Sequence, residues 1–261
     1  LKEKLNALFE AYTITKNVDY LKTANKTSKT IIKTLDVLRP EFESKLDKEF
    51  LVSETYPTIE KMVEISYKLY QHSKENKYID DAFFYMEKSK SIALLEAHRN
   101  YEYIAKIEHD YPKYYELKYK STVITAPELK KELNSNQSVF SYLVAENAIY
   151  LIVTTQNNDT FYKLASNETL KNTISDFYRQ LSNPTLEDRT AYVKNGNLIY
   201  KAIVEPTLKN NKTSDIVILP DDVLNYLPFD VLQTDVNNEK SYLLSKYSIS
   251  YASSATLLQE Q

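Results

Sequence analysis

Apolar residues recur every three or four positions through roughly the first 110 residues, and this spacing is typical of amphipathic helices. The clearest stretches are 1–15, with Leu5, Leu8 and Tyr12 on one face, and 62–70, with Met62, Ile65 and Leu69 on one face. Pro40 and Pro57 are predicted to lie in the first turns of helices, where proline is tolerated. Strand-like alternation begins only at about residue 120. The first part of the chain is therefore predicted to be helical.

Five positions in this helical part recur 58 residues later. Tyr12, Lys16, Tyr20, Leu21 and Ala24 correspond to Tyr70, Lys74, Tyr78, Ile79 and Ala82. In both copies a helix is predicted to end in a polar turn, and the next helix carries a small alanine that lets its partner approach closely. Two interpretations are open: helical hairpins of the tetratricopeptide kind, whose repeat is nearer to about 34 residues, or chance in a chain rich in tyrosine and lysine.

A different pattern follows residue 120. Segment 138–164 predicts three strands rich in Val, Ile, Tyr and Thr, separated by two polar turns. Helices are predicted at roughly 167–182 and 188–204, the second with an apolar side made of Leu198, Ile199, Ala202 and Ile203. The pattern ends with a buried strand at 216–219, short strands around 243–251, and a helix capped by Ser253 or Ser254.

The order of strands and helices in this second part predicts an α/β layer. The fold class expected for the whole chain is therefore α + α/β, with helical hairpins first and an α/β domain after them. We predict the helical domain to cover residues 1–116 and the α/β domain to cover residues 117–261.

Composition excludes several kinds of chemistry. Because the sequence has no cysteine, disulfides, thiolate metal sites and a cysteine nucleophile are excluded from these 261 residues. The single glycine, Gly196, excludes the glycine-rich loops that bind phosphates. The histidines His72, His98 and His109 are far apart and lack a metal-binding spacing. No catalytic, cofactor-binding or metal-ligating residue is therefore predicted, and no cofactor is expected.

Asp221 and Asp222 are adjacent carboxylates in one predicted turn. One interpretation assigns them to metal or acid–base chemistry. The interpretation we favour is structural, because an aspartate in a turn commonly accepts a backbone amide.

Charge and hydropathy limit the partners. The formal net charge is −3, and basic and acidic residues alternate on the helix faces, so no nucleic-acid partner is predicted. No apolar run approaches the ~20 residues that span a bilayer, so no membrane segment is predicted. The chain opens with Leu1 rather than Met, which indicates a piece of a longer protein. A cytoplasmic location is favoured, since neither cysteine nor a signal segment is present.

The stretch 214–232 leaves a predicted strand through an acidic turn and becomes apolar again within a few residues. It resembles the signature of the CHAT family, a caspase-like domain associated with tetratricopeptide repeats. The residues that carry the resemblance, all expected to be structural, are Pro220, Asp221, Leu224, Leu227, Pro228, Phe229 and Leu232. Four further segments agree with the family in the right order: 89–97, 138–155, 198–206 and 247–258. The resemblance covers residues 55–261.

The resemblance gives a physical interpretation of residues 220–232, which we call the corner. Pro220 is expected to end the strand because it cannot donate to a ladder, and Asp221 is expected to accept turn amides. Pro228 would preset the next helical turn, and Phe229 would pack back onto the sheet. The family often has glycine where this chain has Asp222, so a turn of slightly different type is expected here.

The family resembles caspases and separase, which cut peptide bonds with a His–Cys dyad. The motifs that carry the dyad follow the segment matched by 247–258, and the sequence reaches Gln261 before either of them. A link at Leu95–Tyr111 is also shorter than the helical hairpin of many relatives. We therefore expect this chain to be inactive alone.

Two functions follow from these expectations. In the first, the chain is the front, non-catalytic part of a CHAT domain from a bacterial cysteine peptidase. Its tetratricopeptide-like helices would bind a protein or peptide partner, and its sheet would support a missing C-terminal catalytic half. In the second, the chain is a non-catalytic scaffold of the tetratricopeptide type for protein–protein interaction.

Overall fold

The computed structural model describes residues 1–38, 45–96, 109–110, 123–166, 168–182, 188–209, 211–238 and 240–258. Within them the chain forms two compact units, residues 1–127 and residues 128–258. The predicted domain boundary at residues 116 and 117, most of the link 95–111, and Pro40 lie outside the described residues.

The first unit contains long helices that pack on one another in chain order. They are α1 (Lys2–Thr15), α2 (Val18–Leu38), α3 (Lys45–Ser73) and α4 (Lys77–Glu96). Their apolar faces are buried as the sequence spacing predicts, with Leu5, Met62, Ile65 and Leu69 at the helix interfaces. Leu8 and Tyr12 are only half-buried.

Two turns of the same geometry join these helices into pairs. Lys16 and Lys74, which are 58 residues apart, end α1 and α3 with left-handed φ values of 57° and 59°. Their amides donate to the carbonyls of Tyr12 and Tyr70 at 2.8 Å each. Ala24 and Ala82, at equivalent places in the following helices, are completely buried. The recurring residues of the sequence thus occupy equivalent positions in two helical hairpins.

Pro57 lies inside helix α3 and not at its start, so the prediction from sequence was wrong there. A proline in a helix interior removes one backbone hydrogen bond and costs about 3 kcal/mol. The helix continues because its neighbours are held in place: Thr55 and Ile59 are buried, and the Thr58 hydroxyl donates to the Glu54 carbonyl at 3.0 Å. Tertiary burial outweighs the local preference.

The second unit is built on a mixed five-stranded sheet in the order β3-β2-β1-β4-β5. The strands are β1 (Gln137–Val144), β2 (Ala148–Thr155), β3 (Asp159–Ala165), β4 (Asp215–Leu219) and β5 (Ser248–Tyr251). β1 pairs antiparallel with β2, and β2 with β3, while β4 lies parallel between β1 and β5. The predicted mixed α/β character is confirmed.

Helices accompany the strands, and three of them, at residues 168–182, 188–203 and 255–258, lie where the sequence predicts helices. They are α5 (Ala126–Glu132), α6 (Glu168–Ser182), α7 (Asp188–Ile203), α8 (Glu205–Leu208) and α9 (Ala255–Leu258). The Ser254 hydroxyl accepts the amide of Leu257 at 3.1 Å, which is the cap predicted for the last helix. The predicted strand region 243–251 is shorter than expected, since Leu243–Ser245 forms a 3-10 turn.

One hydrophobic cluster of the second unit packs on one face of the sheet. Strand residues on that face are Phe140, Tyr142, Ile149, Leu151, Ile216 and Ile218, and helix residues packed with them are Ile174, Phe177, Ile199 and Ile203. Leu198, predicted on the apolar side of α7, is instead 48% exposed. Its neighbour Asn197 is buried in that region, because its side-chain amide donates to the Gln233 carbonyl at 3.0 Å.

Gly196 explains how α7 packs so closely. A Cβ at this position would lie 3.0 Å from Cε2 of Phe177, and 3.4 Å from the backbone nitrogen of Gln233. Phe177 has no room to retreat, since it is fully buried and stacked on Tyr192 with ring centroids 5.3 Å apart. The only glycine of the sequence is thus used for close approach inside a helix and not for a phosphate loop.

Candidate functional site

The corner after β4 turns the chain back onto the sheet by way of short 3-10 turns. Pro220 follows the last residue of β4, and the turns span Asp222–Tyr226 and Phe229–Val231. Backbone bonds spaced by three residues, Leu224 to Asp221 and Leu227 to Leu224, hold the first turn. This spacing sends Leu224, Leu227, Phe229 and Leu232 into the core, where each is at most 2% exposed.

Phe229 is the aromatic centre of the corner. Its ring lies between Tyr142 of β1, at a centroid distance of 5.4 Å, and Tyr251 of β5, at 6.4 Å. Tyr142 is completely buried and donates its hydroxyl to the Ile203 carbonyl at 3.0 Å. Burial raises the pKa of the Tyr142 phenol, so it remains a neutral donor. Phe229 therefore joins the corner to two strands of the sheet.

Asp221 links the corner to the end of β1 by a hydrogen bond. Its carboxylate accepts the backbone amide of Val144, the last residue of β1, at 2.7 Å. The two residues are 77 positions apart, and the sequence did not indicate this bond. Because β1 and β4 are parallel and adjacent, their carboxyl ends lie side by side at the same end of the sheet. A carboxylate just beyond the end of β4 can therefore reach the end of β1.

Asp222 occupies a backbone conformation that favours glycine. Its φ of 46° is in the left-handed region, and Asn225 donates its side-chain amide to the Asp222 carbonyl at 3.0 Å. Aspartate is one of the few other residues that adopt this region readily. The turn thus has the geometry that a glycine at this position would serve, although the residue is different.

Tyr251 and Asp230 fasten the end of β5 to the same corner. The Tyr251 hydroxyl donates to Oδ1 of Asp230 at 2.6 Å. Burial, and then the bond to Asp230, raise the pKa of the Tyr251 phenol. Sequence reasoning singled out Phe229 but missed Tyr142, Asp230 and Tyr251. Only the alternation within β1 and the position of Tyr251 at a strand end could have indicated the two tyrosines.

The outer edge of β5 is open among the residues that the structure describes. Amides at alternate positions face β4: Ser248 donates to the Ser214 carbonyl at 2.9 Å, and Ala252 to the Ile218 carbonyl at 3.1 Å. Ile249 and Tyr251 lie between them and direct their amides away from the sheet. Ser248, Ser250 and Tyr251 are exposed and Ile249 is half-buried.

The described histidines, His72 and His109, do not belong to the unit that contains β5. His72 is exposed in the last turn of α3, and His109 is exposed with Nδ1 2.9 Å from Oδ1 of Asp110. Both belong to the first unit, and His98 lies outside the described residues. Within the described part of the chain, no group of three or more His, Cys, Asp and Glu side chains could hold a metal ion.

A cavity of about 210 Å³ opens at the other end of the strands from the corner, beside the start of β1 and β4. It is lined mostly by amide and hydroxyl side chains, among them Thr155, Asn157, Asn158, Asn211 and Thr213. Several of these groups already bond to one another, such as Asn211 with Thr213, and Thr155 with Asn158. The cavity is therefore a polar hollow that lies away from the corner.

Comparison with known proteins identifies one part of the chain. Residues 193–261 match the family model of the CHAT domain. The match begins within α7 and includes β4, the corner and β5, so the resemblance found in the sequence is confirmed for this partial domain. No curated protein matches the chain. A search of the described helices finds none that is long and apolar enough to cross a membrane.

Proposed function

We propose that this chain is the non-catalytic part of a caspase-like cysteine peptidase of the CHAT type. In this role the second unit supports a catalytic half that joins it at the outer edge of β5. The first unit binds a protein partner through tetratricopeptide-like hairpins, with the predicted domains 1–116 and 117–261 dividing these roles. The observation that carries the proposal is the outer edge of β5, beside which the described residues place no further strand.

The physical argument starts from the burial of parallel strands. Such strands are normally covered on both faces by other elements. Here β4 obeys the rule, with Ile216, Val217, Ile218 and Leu219 all buried. The parallel strand beside it, β5, instead exposes three of its four residues. A strand with this exposure is expected at a junction, where another part of the same domain adds a strand and covers the faces.

The corner supports this role because it holds β5 in place for pairing. Phe229 packs on Tyr251, and Asp230 accepts the Tyr251 hydroxyl, so the exposed strand is anchored at its carboxyl end. An anchored edge loses little conformational entropy when a further strand pairs with it. We infer that the signature residues Pro220, Asp221, Leu224, Leu227, Pro228, Phe229 and Leu232 are structural and serve this purpose.

The catalytic chemistry is assigned to the added half. Caspase-like peptidases attack the peptide carbonyl with a cysteine activated by a histidine, and this sequence contains no cysteine. We expect the chain alone to hydrolyse no peptide bond. In a parent chain extended past Gln261, changing the cysteine of the expected dyad to alanine should abolish cleavage of a protein substrate. Undiminished cleavage would contradict the peptidase assignment.

Amide hydrogen exchange tests the junction itself. In this chain alone, Ile249 and Tyr251 should exchange fast, whereas the amides of Ser248 and Ala252, bonded to β4, should be protected. In the extended parent chain the Ile249 and Tyr251 amides should become protected by about 100-fold or more. Unchanged exchange at these two amides would overturn the proposal.

A pair of variants makes the test specific to the edge. Ile249→Pro removes the outward amide and keeps the bonds to β4, since proline is tolerated where the amide faces out of the sheet. Ile249→Val keeps both the amide and an apolar side chain. We expect the proline variant to prevent joining of the catalytic half and the valine variant to permit it.

The alternative function is a non-catalytic scaffold for protein–protein interaction. The absence of cysteine from all 261 residues is the observation that favours it. On this alternative the extended parent chain carries no dyad, and the chain binds its partner without any cleavage. Peptide-bond cleavage by the extended parent chain would support the first function, whereas partner binding without cleavage would support the second.

A further inference from the structure

Helix α2 of the first unit has two faces of opposite character. The inner face is buried and includes Leu21, Ala24, Ser28, Ile31 and Ile32. The outer face carries exposed lysines, which are Lys22, Lys26, Lys29 and Lys33. We call these four residues the lysine stripe.

The spacing of the lysine stripe places all its members in one line. Steps of four, three and four residues, at 100° per residue, keep the side chains within about 60° of the helix circumference. The rise from Lys22 to Lys33 is about 17 Å at 1.5 Å per residue. Such a line presents a regular row of ammonium groups and not a scattered surface charge.

Two of the four charges are unbalanced. Lys22 pairs with Asp19 at 2.9 Å, and Lys29 pairs with Asp81 of α4 at 2.8 Å. Neither Lys26 nor Lys33 has an ion-pair partner among the described residues. Two further carboxylates near the stripe bond to other lysines: Asp36 bonds to Lys88 through both oxygens at 2.9 Å each, and Glu75 bonds to Lys77 at 2.5 Å. The stripe therefore retains positive charge within a protein of net charge −3.

From this stripe we infer that α2 is the surface that receives the partner, and that the partner is a protein segment with a row of carboxylates on one helix face. This inference rests on the proposed role of the first unit in partner binding, and it names the chemistry of that partner. Glutamates spaced four, three and four residues apart on a helix would repeat with the same rise as the lysines. Opposite charges in matching rows steer association and set its register.

An acidic helix fits the stripe better than a nucleic acid does. The stripe carries lysine alone, without the arginine forks that read phosphates and bases or the aromatic rings on which bases stack. Carboxylates on a protein helix can repeat at the same rise as the lysines, because both rows follow the period of an α-helix.

The test measures binding of a labelled helical peptide to the full chain by fluorescence anisotropy. The peptide carries four glutamates at the spacing of the stripe, and a second peptide of the same composition spreads them around the helix. We expect the first peptide to bind about tenfold more tightly than the second, with affinity falling as salt rises from about 50 mM to about 300 mM. Equal affinity for the two peptides would overturn the inference.

Matched variants place the binding on α2. The double variant K26E/K33E should weaken peptide binding by about tenfold or more, because it reverses the two unpaired charges. The control K194E/K201E changes two exposed lysines with the same spacing of seven on α7, and so changes the net charge equally. The control should bind the peptide as the unaltered chain does. Equal effects of the two double variants would mean nonspecific electrostatics and would contradict the inference.

The remaining outcomes are also decisive. A single-stranded oligothymidylate of about twenty nucleotides serves as a second probe. If it binds more tightly than the peptide and loses affinity in K26E/K33E, the stripe is a nucleic-acid surface and the inference is wrong. If no probe binds, the stripe is a solvated face and the inference is equally wrong. Exchange at Ile249 and Tyr251 is measured in the other unit, so it reports on the proposed function independently of these results.

Discussion

At the scale of single residues, Phe229 shows how one side chain can hold a fold together. It is completely buried and contacts aromatic rings from β1 and β5. We expect Phe229→Ala to lower the free energy of unfolding by about 3–5 kcal/mol, the range for a buried aromatic residue. Urea unfolding followed by circular dichroism measures it.

The matched control for Phe229 lies in the same corner. Tyr226 is 64% exposed, and its ring lies beside that of Tyr178 at a centroid distance of 5.9 Å. Tyr226→Ala should change the free energy of unfolding by no more than about 0.5 kcal/mol. Similar losses in the two variants would show that Phe229 is not the anchor of the corner.

Asp222 offers a test of backbone strain at a single residue. Because its φ is 46°, Asp222→Gly should raise the free energy of unfolding by about 0.5 kcal/mol, and Asp222→Val should lower it by about 1–2 kcal/mol. Thermal unfolding measures both. Lys212→Gly, at an exposed position without a positive φ, should lower stability slightly. A stabilising glycine at both positions would contradict the argument from φ.

At the scale of elements, helix α5 is fastened to strand β3 by a buried ion pair. Lys130 of α5 contacts the carboxylate of Asp159, the first residue of β3, whose side chain is completely buried. Burial raises the pKa of the Asp159 carboxyl group, and the charge of Lys130 and the Thr154 hydroxyl only partly counteract it. The pair therefore orients α5 at an electrostatic cost.

This cost predicts unequal effects for the two partners. Lys130→Met leaves a buried carboxylate without its counter-charge and should lower the free energy of unfolding by about 3–5 kcal/mol at pH 7. Asp159→Asn leaves the ammonium group of Lys130 without its counter-charge, but this side chain is 23% exposed and can reach water. The loss in free energy of unfolding should therefore be much smaller than for Lys130→Met. Urea unfolding of both variants checks the order, and a larger loss in Asp159→Asn would contradict it.

The same pair has a defined pH dependence. A carboxyl group whose pKa is raised on folding stabilises the protein at low pH, and that contribution is lost as pH rises through the folded pKa. The deficit of Lys130→Met should therefore shrink as the pH is lowered, because protonation removes the buried charge. In the double variant Lys130→Met/Asp159→Asn this dependence should disappear. A deficit that is constant from acid to neutral pH would exclude the mechanism.

Several elements were predictable because their signals are local. The strands of 138–164, the helices after them and the cap at Ser254 depend on neighbouring residues, and the structure has them where the sequence indicates. Pro57 and Leu198 were misjudged for the opposite reason. Whether a proline is tolerated inside a helix, or a leucine faces the core, depends on contacts with residues distant in the sequence.

At the scale of the whole molecule, the chain is two units with different surfaces. The first repeats a helical hairpin and carries a row of lysines on α2. The second carries the segment that matches the CHAT domain and ends its sheet in the exposed strand β5. The proposed partner binding and the proposed support of a catalytic half concern different units, so separate measurements can test them.

The sequence by itself determined the helical first part, the strand-rich second part, the corner signature and the absence of cysteine. These features depend on hydrophobic period and residue identity, which are properties of neighbouring residues. Only the tertiary structure decided that Asp221 bonds to Val144, that Lys130 contacts Asp159, and that β5 is the edge strand of the sheet that the described residues form. Those facts depend on which strands pair and in what register, and pairing is set by contacts across the whole domain.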